Sequence, residues 1–473
     1  MRRTIGALLV VLLLPLFSIA RSRIKIKKSH FDFKDAPNVL LVTFDTTRAD
    51  HLSCYGYVRR TSPVIDSLAA HGVLFENAYT VEPLTGPSHI TMMTSLDPQQ
   101  HGATINGMHM STHPRPILLA QIFHHLGYKT AAFISAWTLK KSITGLARGF
   151  GVYNENFTYY YKLVNSARRG NQTGDASRRW LRKHGHSRFF LWVHYFDAHE
   201  PYVLHSKFAH LPHMKNAKIF PVSASVDADR AAKIRAYDSG IAFDDNDLAK
   251  TLKLLDQLGV RNNTLILVVA DHGENLGEDG IWGHGYHINQ EAMHVPMVIT
   301  YPKEIPQGER IKANVSTVDI MPTILSYVGL HFRVPGQSGY SLQPMIQSGG
   351  KNAPARPTFF VVYSEPTLLP PKWMSLFWTW AETKRDPALT GFVEGNLKVI
   401  SSGDNDALRV YRLSDAFTQA KQLPSGDVSV AKISEYKEDL DSWFKDTNRG
   451  LEPQGHLSKQ DLEMLKSLGY ANP

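Results

Sequence analysis

The feature that most constrains this sequence is a series of continuous apolar runs, several of which end at a charged or imidazole side chain. The runs occupy residues 38–44, 189–194, 264–270, 295–299 and 358–363. Apolar side chains that follow one another without alternation are typical of strands buried on both faces, as in a parallel sheet with helices on each side. The chain has 473 residues, enough to bury such a sheet completely.

Segments with apolar residues at helical spacing lie between these runs. They are residues 62–70, 241–258 and 318–328. The first begins with Ser62 and Pro63, and proline suits a first helical turn. Because strand and helix patterns alternate, we expect an α/β fold with a large, mostly parallel sheet sandwiched by helices.

The pattern changes after about residue 350. Residues 391–400 and 408–413 predict short strands of a hairpin, and residues 461–468 predict a last helix. We therefore expect two folded units, an α/β domain at residues 37–350 and a C-terminal subdomain with a small antiparallel sheet at residues 351–473.

The N-terminal segment predicts export. Arg2 and Arg3 precede a largely apolar stretch that ends in small residues at positions 18 and 20, which is the layout of a cleavable signal peptide over residues 1–20. A basic linker follows at residues 21–36. We expect a periplasmic or secreted protein. An uncleaved anchor that holds the protein at a membrane surface is the alternative.

Charge and cysteine content narrow the classes of function. The net charge is +9, and part of the excess lies between residues 162 and 188. This basic stretch indicates either a solvated helix face or a surface that attracts an anionic substrate or anionic lipid. No pattern of a nucleic-acid-binding module occurs, so we expect no nucleic-acid partner. Cys54 is the only cysteine, which excludes an intrachain disulfide and a cysteine-rich metal site.

Polar clusters accompany the ends of three apolar runs. Asp45 follows the first run, His194 and Asp197 lie at the end of the second, and Asp271 and His272 follow the third. Open α/β sheets bind ligands outside the carboxyl ends of their strands, so these side chains mark a candidate site. Carboxylates with an imidazole suit Mg, Ca, Mn or Zn without choosing among them. Asp45 alone would also fit a helix cap or a turn.

The order of these motifs resembles the sulfatase family within the alkaline phosphatase superfamily. The motifs are residues 38–45 (first metal-ligand strand), 83–102 (nucleophile segment), 271–274 (second metal pair) and 283–285 (late active-site loop). The resemblance extends over roughly residues 37–471. It implies an alkaline-phosphatase-like fold and an ester hydrolase that uses a divalent metal ion.

The resemblance also implies roles for individual residues. The metal ligands would be Asp45, Asp271 and His272, together with the oxygen of Thr85. The catalytic residues would be Thr85 as nucleophile, with His199, His284 and His89. Contacts to the substrate would come from His194, Asp197 and His101.

Four departures from the family pattern affect this expectation. Thr85 replaces the Cys or Ser that most sulfatases oxidise to formylglycine, so we expect no formylglycine. Thr46 replaces the second Asp of an Asp-Asp pair, which removes one carboxylate from the metal site. His89 replaces an Arg with a side chain that can change charge near neutral pH. The Lys and His that many sulfatases carry after the next strand are not evident at residues 135–138.

A threonine at the nucleophile position also constrains the chemistry. Its hydroxyl can attack only as an alkoxide, leaving a covalent sulfo- or phospho-threonine that a second nucleophile must resolve. We therefore expect a metal-dependent hydrolase of a small anionic ester, carried by a sulfated or phosphorylated glycan or a lipid head group. A phosphodiesterase, a membrane-associated transferase of phospho-head groups and a non-catalytic anion-binding protein are the alternatives.

Overall fold

A computed structural model gives the architecture. It describes residues 36–112, 115–157, 159–161, 164–219, 227–353, 356–363, 387–402, 408–414, 420–424 and 426–447. The predicted signal peptide, nearly all of the basic linker and the predicted last helix at 461–468 lie outside these residues. None of the described helices combines the length and apolar character needed to cross a bilayer.

Helices and strands alternate along most of the described chain. The strands are β1 Asn38–Phe44, β2 Val73–Tyr79, β3 Lys129–Phe133, β4 Val152–Asn154, β5 Tyr159–Tyr161, β6 Val164–Ala167, β7 Phe189–Tyr195, β8 Thr264–Ala270, β9 Asn275–Leu276, β10 Trp282–Gly283, β11 His294–Thr300, β12 Glu309–Ser316, β13 Thr358–Tyr363, β14 Pro387–Glu394, β15 Leu397–Ser402, β16 Leu408–Leu413 and β17 Ala420–Gln422. The helices are α1 Pro63–Ala70, α2 Thr85–Thr94, α3 Pro98–His101, α4 Leu119–His125, α5 Lys141–Thr144, α6 Gly170–His184, α7 Ala228–Gln257, α8 Gln290–Met293, α9 Ile320–Tyr327, α10 Gln343–Gln347 and α11 Val430–Thr447.

Eight strands form one large sheet in the order β12-β2-β11-β8-β1-β7-β3-β4. β11 runs antiparallel to both of its neighbours, and the other adjacent strands are parallel. The predicted α/β class with a mostly parallel sheet is therefore confirmed. β1 lies inside the sheet between β8 and β7, which places the ends of these three strands side by side.

The continuous apolar runs are explained by burial on both faces of this sheet. Val39 and Leu41 pack in a core with α2, α4 and α9. Leu40 and Val42 point the other way and pack with α1, α6 and α7. Side chains alternate between the faces of a strand, so a strand covered on both sides needs apolar residues at every position.

A second, five-stranded antiparallel sheet has the order β13-β14-β15-β16-β17 and packs against α11. It agrees with the predicted C-terminal antiparallel sheet, but the details differ. The run at 358–363, grouped with the other sheet strands in the sequence, lies in this second sheet. The single strand expected at 391–400 is two strands, because Gly395 adopts a φ of 57° and turns the chain between β14 and β15.

Two elements of the large domain also differ from expectation. β2 has the polar residues Glu76 and Asn77 near its middle, which interrupt the apolar pattern that marked the other strands. The helix expected at 241–258 begins much earlier, at Ala228, where the Asp227 carboxylate accepts the Arg230 N–H as a helix cap.

Candidate active site

The register of the central strands brings two carboxylates together. β1 and β8 are parallel neighbours in which Phe44 is level with Ala270. The next residues, Asp45 and Asp271, therefore leave the sheet side by side. His272 follows Asp271, and one ligand atom from each of these three side chains lies within 4.8 Å of the other two.

His272 presents a free lone pair to this cluster. Its Nδ1 is 2.9 Å from the Gly273 carbonyl oxygen, which can only accept, so Nδ1 carries the proton. Nε2 is then an acceptor, 3.5 Å from an Asp271 carboxylate oxygen. Burial, followed by the charge of His284, holds the pKa of His272 well below its usual value and keeps the ring neutral.

The donor set fits a divalent cation. Asp45 Oδ1, Asp271 Oδ2 and Thr46 Oγ1 are fully buried and have no hydrogen-bond partner among the described residues. Burial raises the pKa of Asp45 to about 8 and that of Asp271 well above its usual range. Two adjacent buried carboxylates need a compensating charge, and a neutral imidazole with two carboxylates is a common set of ligands for such a cation.

His194 contacts the carboxylate of Asp45 and can orient it. The Ser135 N–H donates to His194 Nδ1 at 3.2 Å, so the ring proton is on Nε2. Nε2 in turn donates to Asp45 Oδ2 at 3.1 Å and leaves Oδ1 free for a ligand. The sequence predicted a contact with the substrate for His194. Both of its ring nitrogens are used here to position Asp45.

Thr85 lies at the start of α2, beside the carboxylates. It is the first residue of this helix, and its Oγ1 is 3.4 Å from His272 Nε2. Ser88 donates from Oγ to the Asp271 carbonyl at 2.7 Å, which fixes the first turn of α2 against the end of β8. All ten residues of α2 are buried, so the position of Thr85 is held by the packing of the whole helix.

His89 is a neutral residue within α2. Its Nδ1 donates to the Thr85 carbonyl at 2.7 Å, and Nε2 accepts from Thr43 Oγ1 at 3.0 Å. Thr43 Oγ1 accepts from Trp192, so its own proton is available for His89. Burial holds the pKa of His89 well below its usual value. His89 is therefore neutral at neutral pH, and it does not replace the positive charge of an Arg.

A positive charge is instead supplied by His284. Its Nδ1 is 3.1 Å from Oε1 of Glu274, a completely buried carboxylate. Burial opposes a charge on His284, but the Glu274 carboxylate outweighs it and raises the pKa of His284 to about 9. The His284 and His272 ring centroids are 4.4 Å apart, so this cation lies directly beside the candidate metal ligands.

His199 is a second neighbour of His284, with ring centroids 5.1 Å apart. It stacks on Phe196, and its Nδ1 donates to the Glu200 carbonyl at 2.5 Å. Burial and the nearby His284 charge lower the pKa of His199 to about 4, so the ring is neutral and Nε2 is its remaining acceptor. His199 and Thr85 line the same cleft, which holds about 170 Å³.

The structure does not bring the two other predicted substrate contacts into this group. His101 donates from Nε2 to Thr91 Oγ1 and accepts the Ala103 N–H at Nδ1, so it has no nitrogen left for a ligand. Asp197 lines the cleft, but its Oδ2 accepts the Gly170 N–H at 2.6 Å and its Oδ1 is 3.2 Å from His205. Both side chains stabilise the fold around the site.

Three residues near the site were not predicted from the sequence. Glu274 belongs to the motif at residues 271–274, and its position after Asp271-His272 was a usable signal. Asn106 lines the cleft and accepts the Gly86 N–H at the start of α2. Arg168 is buried in the cleft wall, and no spacing in the sequence links it to the other site residues.

Comparison with known proteins shows which family this sequence matches. Residues 37–330 match the sequence model of the Sulfatase family. An ulvan-active sulfatase from Formosa agariphila is 24% identical over 370 residues, which cover 73% of this chain and 72% of that protein.

Two solved structures share the fold. One was determined in complex with its substrate D-glucosamine-2-N,6-O-disulfate; it has a TM-score of 0.67 and 19% identity, and the match covers 87% of this chain and 98% of that chain. The other is the phosphonate monoester hydrolase of Agrobacterium radiobacter, with a TM-score of 0.67, 19% identity and coverage of 87% and 96%.

Proposed function

The chain belongs to the sulfatase family of ester hydrolases, and we propose that it hydrolyses sulfate esters with the Thr85 hydroxyl as nucleophile. The observation that carries this proposal is the position of Thr85 Oγ1, 3.4 Å from His272 Nε2 and beside the buried carboxylates. Asp45, Asp271 and His272 would hold a divalent cation. When bound, that cation would lower the pKa of the Thr85 hydroxyl and offset negative charge on the ester.

The protein side chains supply the remaining steps. Thr85 gives up its proton to solvent, and its Oγ bonds to sulfur as the bond from sulfur to the ester oxygen breaks. His284 is held cationic by Glu274, so it can donate its proton to the departing oxygen.

The covalent threonine ester must then be hydrolysed. Water attacks the sulfur, the bond to Thr85 Oγ breaks as sulfate leaves, and Thr85 Oγ regains a proton from solvent. Because His199 carries its proton on Nδ1, its Nε2 is the group that can accept the proton of the water. His199 and His284 are adjacent, so the proton that His199 takes from water can pass to His284 and return it to its cationic form.

We propose a sulfated sugar as the substrate. Support comes from the similarity to an ulvan-active sulfatase and to a structure solved with a disulfated glucosamine. A phosphorus ester is the second candidate, because Thr85 has a single hydroxyl and because a phosphonate monoester hydrolase shares the fold. We also propose that residues 1–20 direct export. N-terminal sequencing of the mature protein tests this, since retention of the segment would contradict cleavage.

Substitution of Thr85 tests the proposed reaction. Thr85→Ala should abolish turnover of aryl sulfates, whereas Thr85→Ser should retain it, because only serine keeps a hydroxyl at this position. The same variants should be assayed on phosphate monoesters and phosphodiesters to decide between sulfur and phosphorus. Full activity of Thr85→Ala would exclude a covalent threonine. Metal binding without any Thr85-dependent turnover would favour a non-catalytic anion-binding protein.

A further inference from the structure

Arg168 is a buried cation in the wall of the active-site cleft. It lies between β6 and α6, and only 4% of its surface is exposed. Its backbone N–H donates to the Ser135 carbonyl at 3.0 Å, which holds it against the chain segment that follows β3. That segment is the one at which the cationic side chains of many sulfatases are missing here.

The guanidinium of Arg168 has no acidic partner among the residues that the structure describes. Its Nη1 donates to the side-chain oxygen of Asn154, and its Nη2 donates to the main-chain oxygen of Asn154. These two bonds use only part of the five N–H groups of the guanidinium. Its Nε is buried and makes no hydrogen bond within the described chain. Buried charges in proteins are normally paired, so Arg168 can bind an anion that the described residues do not supply.

The nearby acidic side chains do not fill this role. Asp197 faces the same cleft, but its two oxygens are directed to the Gly170 N–H and to His205. Glu200 also lines the cleft and is exposed to solvent. Neither carboxylate lies within ion-pair distance of Arg168, in contrast to Arg178 of α6, which is buried against Asp247.

The cleft indicates which part of a substrate would meet Arg168. Its wall includes Thr85 and His199, together with the half-exposed indole of Trp137. The candidate metal ligands Asp45, Asp271 and His272 do not line it. The cleft therefore extends from the nucleophile away from the cation site, which is the side where the leaving group of an in-line displacement lies.

We propose that Arg168 binds a second anionic group, a carboxylate or a second sulfate, on the sugar that leaves in the reaction. The assignment of the reacting ester rests on the proposed function, but the anion-binding role of Arg168 does not. A guanidinium recognises such groups through paired, charge-assisted hydrogen bonds. A sugar with two anionic groups would thus be preferred over the same sugar with one.

Binding measurements with two sugars test this proposal. Isothermal titration calorimetry should compare D-glucosamine-2-N,6-O-disulfate with D-glucosamine 6-O-sulfate on the metal-loaded Thr85→Ala protein. The disulfate should bind more tightly. Adding Arg168→Gln should weaken disulfate binding by about 10- to 100-fold, the effect of one charge-assisted contact, and leave monosulfate binding unchanged. Arg168→Lys should retain part of the preference, because it keeps the charge.

Arg178→Gln is the matched control. It also removes a buried arginine, but one paired with Asp247, so it should lower the melting temperature and leave the ligand preference intact. Arg168→Gln should lower the melting temperature less than Arg178→Gln does, since it loses the hydrogen bonds to Asn154 but breaks no ion pair. A loss as large as that of Arg178→Gln would mean that Arg168 has a charged structural partner, and this would overturn the proposal.

The remaining outcomes separate this proposal from the proposed function. Equal affinity for the two sugars, or an equal loss of affinity for both in Arg168→Gln, would refute a second-anion site. Thr85-dependent hydrolysis of 4-nitrophenyl sulfate, assayed separately, reports on the proposed function alone. If that hydrolysis is absent while the disulfate preference depends on Arg168, the proposed function fails and the anion site stands.

Discussion

Replacement of His194 by alanine tests whether this buried ring positions the proposed metal ligand Asp45. In the folded protein, His194 Nε2 donates to Asp45 Oδ2 at 3.1 Å, and both groups are completely buried or nearly so. Without the ring, a buried carboxylate oxygen loses its donor and Asp45 can rotate. A hydrogen bond to a charged acceptor contributes about 1.5–3 kcal/mol, which corresponds to roughly 10- to 100-fold in affinity.

Metal affinity is the direct assay of this effect. After chelation and dialysis, calorimetric titration with Ca, Mg, Mn and Zn should show a dissociation constant about 10- to 100-fold higher in His194→Ala. His194→Gln should recover part of the affinity, because a glutamine amide can place an N–H near the position of Nε2.

His101→Ala provides the control for the loss of a buried ring. His101 is as deeply buried as His194 and also uses both nitrogens, but it contacts Thr91 and Ala103 instead of a carboxylate. It should lose stability and keep the metal affinity of the unmodified protein. An unchanged affinity in His194→Ala, or an equal loss in both variants, would refute the positioning role.

Three further predictions concern charge and the metal ion. His284→Gln removes the cation held by Glu274 and should lower kcat on an aryl sulfate by about 100- to 1000-fold, whereas His284→Lys should stay active. Metal at roughly 100 times its dissociation constant should stabilise the protein by about 2.7 kcal/mol in urea unfolding, and Asp45→Asn should reduce this gain. Glu82 is buried with neither carboxylate oxygen bonded to a described residue, and burial raises its pKa well above the usual 4.5. A carboxyl group with a raised pKa stabilises the folded state at low pH, and this stabilisation is lost as the pH rises. The melting temperature of Glu82→Gln relative to that of the unmodified protein should therefore increase from pH 5 to pH 8. A difference that stays constant over this range would contradict the prediction.

The sequence was sufficient to predict which strand ends carry the candidate cation site. The runs at 38–44 and 264–270 are apolar at nearly every position because both faces of β1 and β8 are covered, and this pattern is visible without a structure. Asp45 and Asp271 directly follow these runs. Their proximity then depends only on the parallel pairing of the two strands, which brings equivalent ends to one edge of the sheet.

The protonation states could not be predicted in this way. His89, His101 and His194 look alike in the sequence as histidines near a candidate site. The structure separates them by their partners: a carbonyl and a hydroxyl for His89, a hydroxyl and a backbone N–H for His101, and a backbone N–H and a carboxylate for His194. These partners come from distant parts of the chain, and they decide which nitrogen carries the proton.

The positive charges near the site could not be predicted either, because they also depend on partners from distant parts of the chain. Many sulfatases carry cationic side chains after the strand that follows the nucleophile segment, and residues 135–138 of this chain have none. In the structure, His284 and Arg168 are cations near the site. His284 becomes cationic only beside Glu274, and the backbone of Arg168 is held at the cleft by a hydrogen bond to Ser135. Both depend on tertiary contacts that composition and spacing do not encode.

The central claim, that Thr85 is the nucleophile, is tested most directly by trapping its covalent ester. A single turnover of an aryl sulfate should be quenched in acid within the first catalytic cycle and the digested protein examined by mass spectrometry. We predict one sulfuryl group on Thr85 in the peptide that contains it, disappearing as turnover completes and absent from Thr85→Ala. Hydrolysis at the full rate with Thr85 unmodified at every time point would contradict the account.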